Sequence, residues 1–503
     1  MTLALHARAA PERAAIVSPK GRRTFAEMNA NANRLVRALR SRGIGAGDSL
    51  VLVCANRPEF AEVLAACQRM GVRVTPTNWH LTGRELAYIV EDSDARVLVG
   101  DAEFSSAVLE ADGPAISVRV AVGGPIDGFE PYDSVLAGQP GGDVEDPVLG
   151  RTMLYTSGTT GRPKGVDRPP AAAQAAPLVS AVRSATRYEP TTDVHLCTGP
   201  VYHAAPLAFS LVGPLAVGVT VVLMQGWDAE EMLRLVEQHR VTHTHMVPTM
   251  FHRLLDLPDA VKRSYDLSSL RVVLHGAAPC PVPVKRALIE WLGPIVYEYY
   301  AATEGGGTFV SSEEWLEKPG TVGKPVDPGL VRILDQADGS ELGPGEVGTV
   351  FLRAPAEGRF RYHKDDGKTA GAYRGDFFTL GDHGYLDDDG YLFLTGRSAE
   401  IIISGGVNIY PAEVDAILLT HPAVGDAATI GIPDPEWGEV VQAVVVLKRG
   451  REPSSALAAE LISWCRDRLA NFKCPRRVDF VPALPRHDNG KLYRGKLREA
   501  YVS

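Results

Sequence analysis

No two cysteines in this chain of 503 residues are spaced as a CxxC pair or as a metal-ligand set. The six that occur, Cys54, Cys67, Cys197, Cys280, Cys465 and Cys474, read as free thiols in a reducing cytosol rather than as a disulfide framework. Long apolar runs are also missing. The longest, near Leu211–Met224, is broken by Gly213, Pro214 and Gly218 and is too short to cross a bilayer. The opening residues MTLALHARAAPERAA place Arg and Glu ahead of any long apolar segment, which excludes a secretory leader. There is no dense run of Lys and Arg, and the net charge of −9 argues against a nucleic-acid surface while leaving room for a local basic patch. What remains is the composition of a soluble, cytoplasmic globular protein, 45% hydrophobic and 22% charged. It is too long for one core, so at least two domains are expected.

Against those absences one stretch stands out, Tyr155-Thr156-Ser157-Gly158-Thr159-Thr160-Gly161-Arg162-Pro163-Lys164-Gly165. It holds four Ser and Thr hydroxyls, three glycines and two cations, and follows the strand-like Met153-Leu154-Tyr155. Glycines let backbone N–H groups converge on an anion, hydroxyls donate to phosphate oxygens, and Lys164 supplies a point charge. Lys164 is followed by Gly165 rather than Ser or Thr, so this is not the common triphosphate-binding loop, and a kinase or motor ATPase is disfavoured.

Around this loop, residues 1–150 alternate helical and strand patterns. Thr24 and Glu27 form a capping box ahead of a helix reaching Leu39, and Glu59–Met70 and Leu81–Glu91 are helical. Asp48–Cys54, Val72–Pro76 and Ala95–Gly100 read as strands. The repetition predicts mainly parallel sheets with ligands beyond the carboxyl ends of the strands. Later come a helix over Pro169–Ala185, strands at His195–Pro200, Gly218–Met224, His243–Thr249 and Val272–Pro279, and a helix at Ala229–His239. His243 and His245 have no third ligand and read as strand residues. Residues 411–503 give helix, strand, strand, helix and a tail, a compact α+β unit of ordinary domain size.

The order of these motifs resembles the superfamily of AMP-forming adenylating enzymes: acyl-CoA synthetases, peptide-synthetase adenylation domains and beetle luciferases. The likeness runs from about residue 24 to 497. It implies a large multi-subdomain α/β domain, 1–397, and a small mobile α+β domain, 398–503. It also implies an enzyme that uses ATP, Mg²⁺ and coenzyme A to activate a small carboxylic acid, with a homodimer allowed. Residue by residue, Thr156, Ser157, Gly158, Thr159, Thr160 and Lys164 match the phosphate loop. Gly276, Ala277 and Ala278 match the adenine wall, and Tyr300 the stacking face in Tyr299-Tyr300-Ala301-Ala302-Thr303-Glu304, where Ala301 replaces the family's Gly. Thr303 lies alongside Glu304, the Mg²⁺ carboxylate. Asp382 matches the ribose acceptor and Arg397 the end of the large domain. Ala399 matches the hinge, without the family's Asp or Lys; Gly405 and Gly406 match the pantetheine tunnel, and Lys491 the catalytic lysine.

His203, Phe209, Met246, Gly276, Gly305 and Gly306 are expected around the acyl group, with Gly305-Gly306-Gly307 as its floor. Amino-acid-activating relatives carry an Asp after the His203 position, where this chain has Ala204, so a buried ammonium would lack its partner. The expectation is a fatty acid or other apolar acyl chain passed to coenzyme A. An aromatic acid, or a carrier protein as acceptor, is the alternative.

Overall fold

The computed structural model describes residues 2–156, 163–169, 182, 184–185, 187–335, 337–355, 359–397, 400–404, 407–434, 437–486 and 490–502. After a short helix at Thr2–Ala9, the helix Phe25–Ser41 starts at the predicted capping box. Glu27 N donates to the Thr24 hydroxyl at 3.1 Å, and Thr24 N donates to Glu27 Oε2 at 2.8 Å. Each satisfies a donor the helix end would otherwise orphan, together worth about 1 kcal/mol. Pro58–Met70 follows, opened by its own proline and closed by Gly71 at φ 74°.

Both helices lie between two eight-stranded sheets. Their Leu35, Leu39, Phe60 and Val63 share one buried cluster with Ile16, Val221 and Leu223 of one sheet and Leu50, Leu52 and Val74 of the other. One sheet runs Gly305–Val310, Val296–Ala302, Val272–His275, His243–Met246, Val194–Cys197, Thr220–Leu223, Ala14–Ser18, Gly21–Thr24. Its inner pairs are parallel and its two edge pairs antiparallel. The other runs Arg361–Tyr362, Lys164–Asp167, Arg151–Thr156, Arg73–Pro76, Ser49–Val53, Ala95–Asp101, Val118–Val122, Glu130–Pro131. Parallel strands cannot be joined by tight turns, which is why helices alternate with them in sequence.

Asn56 links the carboxyl ends of the two sheets. Its side-chain amide donates to Gly199 O at 3.0 Å and Met224 O at 2.9 Å, and its oxygen accepts from Val201 N at 3.0 Å. The residue is buried. Asn56→Leu would strand the Met224 carbonyl and the Val201 N–H and leave Gly199 O only the Cys197 thiol, at about 1–3 kcal/mol for an unsatisfied buried group. A loss of roughly 3 kcal/mol in a denaturant melt is the expected result. A loss under about 1 kcal/mol would mean that water replaces the amide.

A third sheet, antiparallel throughout, was not anticipated. Val331–Leu334, Gly348–Arg353, Phe377–Leu386 and Tyr373–Arg374 form its path, and Leu392–Arg397 pairs with Phe377–Leu386. From Ile402 onward the chain builds another five-stranded sheet with a core of its own, including Ile402, Val414, Leu418, Val441 and Leu461. The expected helix, strand, strand, helix order is present as Pro411–Leu418, Val424–Asp434, Gly438–Leu447 and Ser455–Arg466. The parallel strand Arg477–Phe480 and the last helix, Arg494–Val502, come in addition.

Several strands end earlier than the sequence suggests, Val194–Cys197 among them, and for two the cause is local. His243–Met246 stops because Pro248 opens the helix Pro248–Leu255. Val272–His275 stops at Gly276 because Ala277 turns to φ 71°. Most of the helix expected over Pro169–Ala185 lies outside the described residues. Among those described, no helix is long and apolar enough to cross a membrane.

Candidate active site

The carboxyl ends of the parallel strands gather the residues singled out by motif. Gly276 follows Val272–His275, and a Cβ built on it would lie 2.6 Å from Tyr299 O and 2.7 Å from Tyr299 Cζ. No side chain fits there. Ala277 holds a left-handed backbone, which a non-glycine residue adopts at a cost of about 1–2 kcal/mol. Gly276 is therefore held close against the neighbouring strand, and the chain turns away at Ala277.

That neighbour, Val296–Ala302, splits its side chains by the two-residue period of a strand. Tyr300 donates its hydroxyl hydrogen to Asp382 Oδ2 at 2.6 Å, joining the stacking and ribose positions across 82 residues of sequence. Asp382 is buried and stands opposite Arg397 in the antiparallel register. The side chain of Arg397 is outside the described set. Tyr299 takes the other face. Its hydroxyl lies 2.9 Å from His245 Nε2, and the Phe209 ring is 4.8 Å from its own. Burial drives the His245 imidazole down to about 4, so it is neutral at pH 7.

The same period separates two neighbours on the strand His243–Met246. Met246 is fully buried in the cluster of Met250, Phe251 and Leu288, while His245, also buried, faces Phe209 and Tyr299. Half-buried His203 stands just ahead of the wide-turn helix Pro206–Val212, its ring 4.4 Å from Tyr202.

Glu304 sits at the tip of a hairpin. Ala302 pairs with Gly305, leaving Thr303 and Glu304 as the turn, and the register shifts by one residue between Tyr300 and Ala302. Such a bulge needs residues at positive φ, and Gly305, Gly306 and Gly307 supply them at 122°, 71° and 139°. The triple glycine thus has a backbone task. A Cβ on Gly306 would lie 2.8 Å from Leu352 Cδ1, so this position faces the third sheet rather than forming an acyl-pocket floor. One on Gly305 would have only the Arg168 guanidinium nearby, at 3.6 Å.

The carboxylate at that tip is buried, and Tyr362 donates to its Oε1 at 2.9 Å. Burial and the Glu304 charge both push the Tyr362 phenol up, so it stays a donor. Arg168 Nη1 reaches Thr303 O at 3.4 Å, and the Glu304 charge counters the downward pull of burial on that guanidinium. The segment bearing Tyr362 also braces the phosphate-loop hairpin. Tyr362 pairs with Val166, His363 N donates to Gly165 O at 2.8 Å, and Asp365 Oδ2 is 3.0 Å from Lys164 Nζ. Thr156 stands opposite Lys164. Tyr362, Arg168 and Asp365 escaped sequence reading because a two-residue strand and isolated polar residues leave no periodic signal.

A hard divalent cation fits this arrangement. One oxygen of Glu304 is taken by Tyr362, and a carboxylate has acceptor capacity left over. No group of three or more His, Cys, Asp or Glu among the described residues could hold a metal by itself. That suits Mg²⁺, which takes one or two carboxylates and completes its shell with water and substrate phosphates.

The lysine-bearing loop of the small domain lies against the large one. A Cβ on Gly490 would meet Thr249 Oγ1 at 2.5 Å and Val247 Cγ2 at 3.3 Å, directly after the strand His243–Met246. Lys491 is half-buried. Ser157, Gly158, Thr159, Thr160, Ala399, Gly405 and Gly406 lie outside the described residues. Ile402–Ser404 and Val407–Ile409, flanking the last two, pair antiparallel.

Comparison with known proteins agrees with this geometry. Residues 3–359 match the AMP-binding enzyme family, and residues 413–491 match the AMP-binding enzyme C-terminal domain. The chain is 34% identical over 498 residues to a 2-succinylbenzoate–CoA ligase of Bacillus velezensis, covering 97% of this chain and 95% of that one. It is 31% identical over 513 residues to a fatty acid–[acyl-carrier-protein] ligase of Streptomyces coeruleorubidus, covering 99% and 96%. Among solved structures, it resembles an anthranilate CoA ligase in complex with anthranoyl-AMP. There the TM-score is 0.88 and the identity 26%, over 100% of this chain and 97% of that one.

Proposed function

We propose that this chain, which belongs to the AMP-binding enzyme family and is an AMP-forming acid–thiol ligase, activates an aromatic carboxylic acid and passes it to coenzyme A. The observation carrying the substrate class is the packing of Phe209, Tyr299 and His245. Their rings lie 4.8–6.1 Å apart, and Gly276 leaves the Tyr299 ring uncrowded by a side chain. Stacked and tilted rings favour another ring over a flexible alkyl chain, by about 0.5–1.5 kcal/mol per aromatic pair. Relatives named for succinylbenzoate and anthranilate support the same reading. It replaces the extended fatty chain expected from the sequence. Ala204, where a carboxylate would hold an ammonium, supports an acid without an α-amino group.

In the first half-reaction a carboxylate oxygen of the acid bonds to the α-phosphorus of ATP. The bond to the β-phosphate bridge breaks, giving acyl-AMP and pyrophosphate. Lys491 offsets the charge gathering at the α-phosphate, and Lys164, leaving Asp365, meets the outgoing phosphates. Glu304, steadied by Tyr362, would hold the Mg²⁺ that neutralises phosphate oxygens. Asp382 accepts from the ribose hydroxyls while Tyr300 covers the base. In the second half-reaction the CoA sulfur bonds to the acyl carbon, AMP leaves with the carboxyl oxygen, and the thiol proton is released.

A panel of substituted benzoates, arylacetates and straight-chain acids, supplied with ATP and CoA, tests this through AMP formation and thioester mass. The expected result is a kcat/KM for the best aryl acid at least about tenfold above any straight-chain acid, equal to about 1.4 kcal/mol. A straight-chain acid that outperforms every aryl acid would overturn the substrate class. Acyl-AMP formed without any CoA thioester would overturn the acceptor.

A further inference from the structure

Lys491 is flanked on both sides by contacts to one residue, Arg486. On one side, Arg486 Nη1 donates to Gly490 O at 2.8 Å. On the other, Arg486 and Leu492 pair as an antiparallel bridge, extended by Tyr493 N donating to Pro485 O at 2.9 Å. The guanidinium is fixed in turn. Its Nη2 lies 2.9 and 2.7 Å from the two oxygens of Asp426, and Nε lies 3.3 Å from Oδ2. Asp426 belongs to the long strand Val424–Asp434, which pairs over its whole length with Gly438–Leu447 at the edge of the small domain's sheet. Beyond the lysine, Arg494 binds the same strand through Thr429 O at 3.3 Å, and also Glu400 at 2.9 Å and Asp415. The lysine loop is therefore mounted on one rigid strand at both ends.

We propose that Arg486 is a positioning residue for Lys491. Fixed by Asp426, its guanidinium holds the Gly490 carbonyl and so sets where the lysine amine enters the site. The proposal rests on the reading of Lys491 as the cation of acyl-AMP formation. Planar guanidinium suits the task because its fork can grip a carboxylate and still spare a donor for a carbonyl. Stability does not explain the arrangement. Both side chains are 28% exposed, and ion pairs so placed add little to folding. Misplacement of a reacting group by about 1 Å, by contrast, can lower a rate by about 100-fold.

The test uses the full chain and three variants, Arg486→Gln, Asp426→Asn and the exchange Arg486→Asp with Asp426→Arg, beside Lys491→Ala. Two rates are read: single-turnover pyrophosphate release from ATP with the best acid, and thioester formation from supplied acyl-AMP and CoA. Arg486→Gln should slow the first by about 10- to 100-fold and leave the second within about twofold, since only the lysine segment is displaced. Asp426→Asn should follow with a smaller loss. The exchange variant restores the ion pair but not the bond to Gly490 O, so it should stay slow. Its recovery to the wild-type rate would overturn the proposal, as would an equal fall in both half-reactions. If Lys491→Ala slows pyrophosphate release and Arg486→Gln does not, the positioning role alone fails. If Lys491→Ala itself leaves that rate intact, the reading of the lysine fails and the proposal with it.

Discussion

Lys491→Ala is expected to lower single-turnover pyrophosphate release by about 10²–10³-fold, the usual cost of removing a group that meets charge only as it develops. The loss should appear in kcat and kcat/KM together, because the cation acts in the transition state rather than on bound ATP. Thioester formation from supplied acyl-AMP should stay within about twofold, since in that step the acyl carbon is attacked and no bond to phosphorus forms or breaks. The structure motivates the asymmetry. Gly490 is wedged against Thr249 and Val247 at the end of the strand whose His245 faces the aromatic cluster. That contact puts the lysine segment at the large domain's strand ends. Equal losses in the two half-reactions would remove Lys491 from a step-specific role.

Glu304→Gln is the second large effect, an expected fall of about 10²-fold in acyl-AMP formation. The amide keeps the volume of the carboxylate and still accepts from Tyr362, so the hairpin should survive. What is lost is a negative oxygen for a hard cation. Binding of ATP, followed by calorimetry with and without Mg²⁺, should lose most of its dependence on the metal. Tyr362→Phe removes one hydrogen bond to a charged acceptor, worth about 1.5–3 kcal/mol, and should reproduce part of the effect without changing charge. Unchanged Mg²⁺ dependence in Glu304→Gln would take this carboxylate out of the metal site.

Much of the fold is legible in the chain because its signals are local. The capping box at Thr24, the proline before Glu59 and the glycine after Met70 bracket two helices within a residue or two of their observed ends. Strands of the parallel sheets read as short apolar runs between them. The antiparallel third sheet was harder, since its strands mix exposed and buried positions: Val331–Leu334 alternates, while Phe377–Leu386 does not hold one pattern. Strand ends were overrun wherever a proline or a left-handed residue cut them short, as at Pro248 and Ala277.

By itself, then, the sequence determined the order of the motifs, the phosphate-loop chemistry and the identity of Tyr300, Asp382, Glu304 and Lys491 as the residues to watch. Those four residues rest on the resemblance of short local motifs to those of the family, each readable within about a dozen positions. Only the tertiary structure decided which neighbours complete them. Tyr362 reaches Glu304 across 58 residues, and Tyr300 meets Asp382 across 82. It also decided parity. A strand turns successive side chains to opposite faces, so His245 meets the Phe209 and Tyr299 rings while Met246 packs in an apolar cluster. And it decided why three glycines follow Glu304. A bulged hairpin against Leu352 requires positive φ and no side chain at Gly306, a demand set by the packing of a strand more than forty residues downstream.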